Sequence, residues 1–131
     1  MDARFEEIAR RHGIELILLF GSSVSGPVHG RSDVDLAVPL DRPTLPLGEH
    51  AELAGELQRL FPHREVDLVL INRADPLFLK KITERCRLLY GSPRRLTELK
   101  LYAFRRYQDH RKSLILERQY VTRVLGAGQP P

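Results

Sequence analysis

Apolar residues along this chain fall into short solid runs and into longer stretches where they recur at helical spacing, and the two patterns predict different elements. Phe5, Ile8 and Ala9 share one side of an opening segment that Asp2 can cap and Gly13 can end in a left-handed conformation, which predicts a first helix. Three runs follow that are too short and too apolar for free-standing helices: "IELILLF" at 14–20, "VDLAV" at 34–38 and "EVDLVLI" at 65–71. Each predicts a buried strand. Between the second and third, a connection carrying Pro39, Pro43, Pro46 and Gly48 leads into an amphipathic helix that ends near Phe61-Pro62. Asp75-Pro76 reads as an N-cap with proline at the first helical position, opening a helix through Leu77, Leu79, Ile82 and Cys86 that "YGSPRR" breaks. From Arg94 to Leu125 there is neither Pro nor Gly, and Leu96, Leu99, Ala103, Tyr107, Leu114 and Val121 keep helical spacing, so one long helix or two in line are expected. Residues 126–131 read as a disordered tail. Three strands among helices imply an α/β or α+β domain, a small sheet packed by helices, over 1–125. The pattern leaves the strand order open.

Two strands contain residues that a buried strand disfavours. Asp33 and Asp35 stand one residue apart at the head of "VDLAV", and Asp67 interrupts "VDLVLI". Side chains alternate along a strand, so Asp33 and Asp35 point the same way, about 7 Å apart by strand rise. Two such carboxylates repel each other unless a cation neutralises them. Mg²⁺ suits the pair, because it takes oxygen ligands and is usually held by one or two carboxylates plus substrate phosphates. Asp67 supplies a third acid from another strand. Its apolar neighbours predict a place in the middle of the sheet; Glu65 shares its face but sits at the strand's start, so Asp67 is preferred.

After the first strand comes Gly21-Ser22. Gly21 allows a tight turn and close approach of backbone to a ligand, and Ser22 begins a segment whose free N–H groups and hydroxyl can bind phosphate. Taken alone, Ser22 would be an ordinary helix cap. Beside three carboxylates, it completes a site for a magnesium nucleoside triphosphate, where two metal ions would serve an in-line displacement at the α-phosphorus. His29, between the two motifs, reads as a solvent-exposed loop residue.

Composition narrows the class without changing the site. The chain has 131 residues, 42% of them hydrophobic, which suits one domain and hardly two. A single cysteine, Cys86, excludes an internal disulfide and a cysteine-based zinc site, and it reads as a small buried hydrophobe. The charged start predicts no signal peptide, and no run approaches a membrane span, so a cytoplasmic protein is expected. The net charge of +4 is unevenly spread. Residues 94–125 hold nine Lys and Arg against three acids, leaving twelve against fourteen elsewhere. A basic segment of this kind suits an acidic partner protein, nucleic acid or plain solvation. Its Tyr102, Tyr107 and Tyr120 are read as core or partner contacts ahead of base-stacking platforms.

Gly21-Ser22, ten intervening residues, Asp33-Val34-Asp35 and then Asp67 within "VDLV" together resemble the polymerase-β-type nucleotidyltransferase superfamily. The short chain resembles its minimal nucleotidyltransferase (MNT) branch. "CRLLYGSPRRLTELKLYAFRRYQDHR" is similar to the C-terminal helical part of the MntA antitoxins, partners of HEPN-type toxins. The likeness runs from about residue 5 to 125. It implies a small mixed sheet of the nucleotidyltransferase type, with Gly21 and Ser22 holding the triphosphate, Asp33 and Asp35 binding two magnesium ions, and Asp67 shared between a metal and the incoming hydroxyl. One position departs from the pattern: Ser25 precedes Gly26 where the family often carries arginine, and Arg31 or a basic residue of the last helix is the replacement at hand.

The resemblance implies Mg²⁺-dependent transfer of AMP from ATP to a hydroxyl, a tyrosine of a cognate HEPN ribonuclease toxin, with residues 94–125 as a docking segment. Two rivals stand beside it. One is transfer to a small molecule such as an aminoglycoside, for which the chain lacks a second domain. The other is a non-catalytic module that binds a toxin or RNA, which has no use for three clustered acids.

Overall fold

Asp2 starts the first helix as the sequence predicts: its carboxylate accepts the Arg4 backbone N–H at 2.9 Å, opening α1 (Ala3–His12). Gly13 ends it at φ 67°, a left-handed residue that costs an L side chain and costs glycine little. The computed structural model describes residues 2–21, 33–40, 45–71 and 76–125. Within them the chain continues through β1 (Ile17–Phe20), β2 (Val34–Val38), α2 (Leu47–Arg59), β3 (Val66–Leu70), α3 (Pro76–Glu84), β4 (Arg87–Tyr90) and α4 (Pro93–Val124). Asp75, expected to cap α3, lies outside the described residues, as does the tail at 126–131.

The four strands form one mixed sheet in the order β3-β2-β1-β4. β1 runs antiparallel to both β2 and β4, while β2 and β3 are parallel. Alternation then sorts the core into two layers. Val34, Leu36 and Val38 face Phe5 and Ile8 of α1 and Leu53 and Leu57 of α2. Leu18 and Ala37 face the other way, against Leu79 and Ile82 of α3 and Ala103 of α4. The sheet is therefore covered on both sides by a pair of helices.

Two expectations are corrected here. A fourth strand exists, made of "RLLY", where the sequence pattern ran the preceding helix through Cys86 to the break at "YGSPRR". Its four residues carry no period of their own, and pairing with β1 makes them a strand. Asp67 was expected in the middle of the sheet; β3 is instead an edge strand, and Asp67 is exposed. The apolar run around it is explained by Val66, Leu68 and Leu70 packing on one face and Val69 on the other.

α4 is a single helix of 32 residues, about 48 Å long at the helical rise. Ser92 caps it, accepting the Arg95 N–H at 3.2 Å, with Pro93 in the first turn. Leu96, Leu99 and Ala103 pack against the sheet layer. From Arg111 onward every described residue of the helix is exposed.

The covering helices of the first layer are pinned by a buried carboxylate. Glu56 of α2 accepts Arg11 Nη1 at 2.6 Å on one oxygen and lies 2.6 Å from His12 Nε2 on the other. Near the end of the same helix Gln58 accepts the Val66 N–H at 2.9 Å, fixing where β3 begins and so where Asp67 falls. Replacing Glu56 with Ala strips both α1 partners of their acceptor, and a loss of about 2 kcal/mol in unfolding free energy is expected by urea titration. Glu52→Ala, on the exposed side of α2, is expected to leave stability within about 0.5 kcal/mol of the parent.

Candidate active site

The β-sheet register builds the site. Phe20 pairs with Asp35 across the antiparallel β1–β2 ladder, and Asp35 pairs with Asp67 across the parallel β2–β3 ladder. Paired residues share a face, so Phe20, Asp35 and Asp67 form one row across three strands. The face is that of Leu18, Ala37 and Val69, the side covered by α3 and α4. Asp33, just before β2, adds a third carboxylate two residues along from Asp35. Asp33 and Asp67 are exposed and Asp35 is half-buried. The sequence placed Asp33 and Asp35 together, and the structure brings Asp67 beside them.

The three acids feel each other. Partial burial raises the Asp35 carboxyl above the ordinary carboxylate range, and the charges of Asp67 and then Asp33 push it further the same way. Among the described residues no cationic side chain lowers it, and the three carboxylates together suit a divalent cation.

Gly21 closes the row. It leaves β1 at φ 81°, in the left-handed region, and a Cβ built on it would collide with the carboxylate of Asp35. Both the backbone conformation and the space therefore demand glycine here. Ser22, like Ser25, Gly26, His29 and Arg31, lies outside the described residues.

Sequence reading missed one other group with ligand chemistry. His12, Glu52 and Glu56 bring ligand atoms within 4.8 Å of one another on the opposite layer. Glu52 and Glu56 share a face of α2 at i,i+4 spacing, but His12 lies 44 positions from Glu56, so only the packing of α1 on α2 unites the three. Both Glu56 oxygens are already engaged by Arg11 and His12, which makes this a helix clamp.

The family model described as polymerase beta, nucleotidyltransferase, matches residues 4–95. The chain belongs to this nucleotidyltransferase family. The match contains Gly21, Asp33, Asp35 and Asp67 and stops within the first turn of α4. No curated protein matches the sequence. Among solved structures, similarity extends along nearly the whole chain. A mutant of the toxin-antitoxin MntA-HpeT is 25% identical, with a TM-score of 0.70 over 94% of this chain and 96% of that one. A toxin-antitoxin structure with AMP-PNP is likewise 25% identical, at TM-score 0.69 over the same shares. A chain from the structure of a tri-AMPylated Shewanella oneidensis HEPN toxin in complex with MNT antitoxin shares the fold, with 24% identity, TM-score 0.65, and coverage of 94% of this chain and 93% of that one. The nucleotidyltransferase fold and the likeness to MntA antitoxins are thus as the sequence suggested.

The raised Asp35 carboxyl sets a pH dependence. The folded chain keeps this proton to higher pH than the unfolded chain, so metal-free stability falls as pH rises through the ordinary carboxylate range to the raised value. Asp35→Asn removes that penalty. In chelator at neutral pH the variant is expected to melt at higher temperature than the parent, the difference shrinking below about pH 4 as Asp35 is protonated in both states.

Proposed function

We propose that the chain is a Mg²⁺-dependent nucleotidyltransferase that moves AMP from ATP to a hydroxyl of a cognate HEPN-type toxin, a tyrosine, and so acts as the toxin's antitoxin in the cytoplasm. The row of Asp35 and Asp67 with Asp33 beside it carries this reading. The family supports the transferase chemistry, and the AMP-PNP and tri-AMPylated toxin complexes of similar chains support adenylyl transfer to a protein.

The donors fit magnesium. All are carboxylate oxygens, and Asp35, raised first by burial and then by the charges of Asp67 and Asp33, would be relieved by a cation at that point. Asp33, Asp35 and Asp67 would hold the metal, two ions by family resemblance. When bound, it supplies charge neutralisation for the phosphates and for the attacking and leaving oxygens. The chain's own residues do the rest. Gly21, without a side chain, lets the backbone of the turn approach the triphosphate, and Ser22 follows with hydroxyl and N–H donors. Asp67, exposed on the edge strand, faces the solvent side from which a protein hydroxyl arrives. The acceptor oxygen forms a bond to the α-phosphorus as the bond to the bridging α–β oxygen breaks. Pyrophosphate carries away that electron pair, and the acceptor proton passes to Asp67.

Residues 94–125 serve as the docking segment in this reading. The exposed stretch of α4 beyond 110 presents Leu114, Ile115, Leu116, Tyr120 and Val121 among Arg111, Lys112, Arg118 and Arg123. Tyr107, Leu114 and Val121 recur every seven residues along α4; Tyr107 lies under the Lys80 ammonium at 4.8 Å within the domain, while the other two remain exposed. Among the described residues no helix is long and apolar enough to cross a membrane.

Incubation with α-labelled ATP, Mg²⁺ and the co-expressed HEPN protein tests the reading. Label is expected on the toxin, and Asp33→Asn or Asp35→Asn is expected to reduce it to background with the circular dichroism unchanged. Folded variants that transfer at the parent rate would sink the carboxylate assignment. Docking is tested separately. Arg105→Glu with Arg106→Glu is expected to weaken association with the toxin, more at low than at high salt, while ATP affinity holds.

A further inference from the structure

Charge is sorted around α4 in a way that neither the core nor the transferase chemistry uses. At about 100° per residue, seven of the nine Lys and Arg of this helix fall within a sector of about 140° of its circumference. Lys100, Arg111 and Arg118 form one rim of the sector, and Arg94, Arg105, Lys112 and Arg123 form the other. The three acids, Glu98, Asp109 and Glu117, all lie outside it. Each of the seven cations is exposed, and apart from Arg94, 3.5 Å from Glu98, none has an ion-pair partner among the described residues. A face that only keeps a helix in water mixes signs, because opposite charges three or four residues apart support the helix. This one runs without an acid for about 43 Å.

Between the rims lie Gln108, Ile115, Gln119 and Thr122, exposed as well. Ile115, Arg118, Gln119, Thr122 and Arg123 line one common hollow of the surface, so both rims and the strip between them meet there. The apolar line of Leu114 and Val121 is elsewhere: it continues the side on which Ala103 is buried and falls outside the sector.

Two cationic rims with amides and a hydroxyl between them match the cross-section of a DNA groove, with phosphates along both walls and base edges on the floor. A helix about 10–12 Å across fits a major groove about 12 Å wide. The outer half of α4 has the clearance, since every described residue of the helix from Arg111 onward is exposed. An acidic protein surface would answer the cations but gives no reason for two rims around a polar strip. The major groove of A-form RNA is deep, narrow and closed to side chains.

We infer that this face of α4 binds the major groove of double-stranded DNA, with the two rims on the two phosphate backbones and Gln108, Gln119 and Thr122 toward the base edges. The inference goes beyond the transferase reading. It needs neither ATP nor toxin, and it leaves the line of Leu114 and Val121 to a protein partner.

Fluorescence anisotropy of labelled duplex DNA, about two helical turns long, titrated with the full chain over a salt series and without ATP, tests it. Arg111→Ala with Arg118→Ala, and separately Lys112→Ala with Arg123→Ala, are each expected to weaken binding about tenfold or more at about 0.1 M salt. Each pair is also expected to lower the slope of log K against log salt by about 2. Alanine is the best helix former, so both pairs are expected to keep the parent's circular dichroism. Arg10→Ala with Arg59→Ala makes the same change in net charge at exposed positions of α1 and α2 and is expected to bind DNA like the parent. An equal loss in that control would reduce the effect to net charge and overturn the inference. So would a loss confined to one rim, which lays a single backbone along the helix, or duplex RNA or single strands binding as tightly as duplex DNA. A parent chain that binds no duplex, with the rim variants losing the HEPN toxin instead, would make the face a protein dock and overturn it as well.

Discussion

Parallel pairing of β2 with β3 sets Asp35 directly beside Asp67, and like charges in that position repel. No described residue relieves the repulsion: the carboxyl of Asp35 is raised by burial, by Asp67 and by Asp33 together. The ladder is held elsewhere, through Val34, Leu36 and Val38 against Leu53 and Leu57 on the other side of the sheet. Packing on one face thus holds in place an electrostatic conflict on the other. A protein without use for the conflict would lose nothing by replacing one of the acids with an apolar or amide side chain.

The layer that bears this load is tied down by polar contacts of its own. Glu56 binds α1 through Arg11 and His12, and Gln58 receives the Val66 N–H at the start of β3. These contacts lie on α1 and α2, away from the face where the carboxylates gather, so a rigid layer and a reactive face are divided between the two sides of one sheet. Gly21 belongs to the reactive side. Its left-handed backbone and the carboxylate against it leave no room for another residue.

α4 divides along its length in a similar way. Its first turns complete the second core layer through Leu96, Leu99 and Ala103, and the family match ends as they begin. The remainder extends beyond the packed body with apolar and basic side chains exposed together. A helix of this length is not stabilised by a core along its outer half, and its solvent-facing charges keep it compatible with water until apolar residues find a partner surface.

The residue pattern by itself determined α1 with both of its caps, the approximate place of three strands, the proline start of α3 and the helical character of 94–125, because each depends on local spacing or on one capping residue; that 94–125 is one helix and not two in line was decided by the structure. It also determined the chemistry on offer, since Asp33, Asp35 and Asp67 break the apolar rule of the strands that contain them. Tertiary structure decided what spacing cannot carry. β4 exists because β1 pairs with it, and β3, with the exposed Asp67, is the edge of the sheet among the described residues. His12 meets Glu56 across 44 positions, and Phe78 meets Phe20 across a larger gap, through helix packing alone. Local rules report which residues a chain has at each face; register and packing, which join distant segments, decide which of them stand side by side.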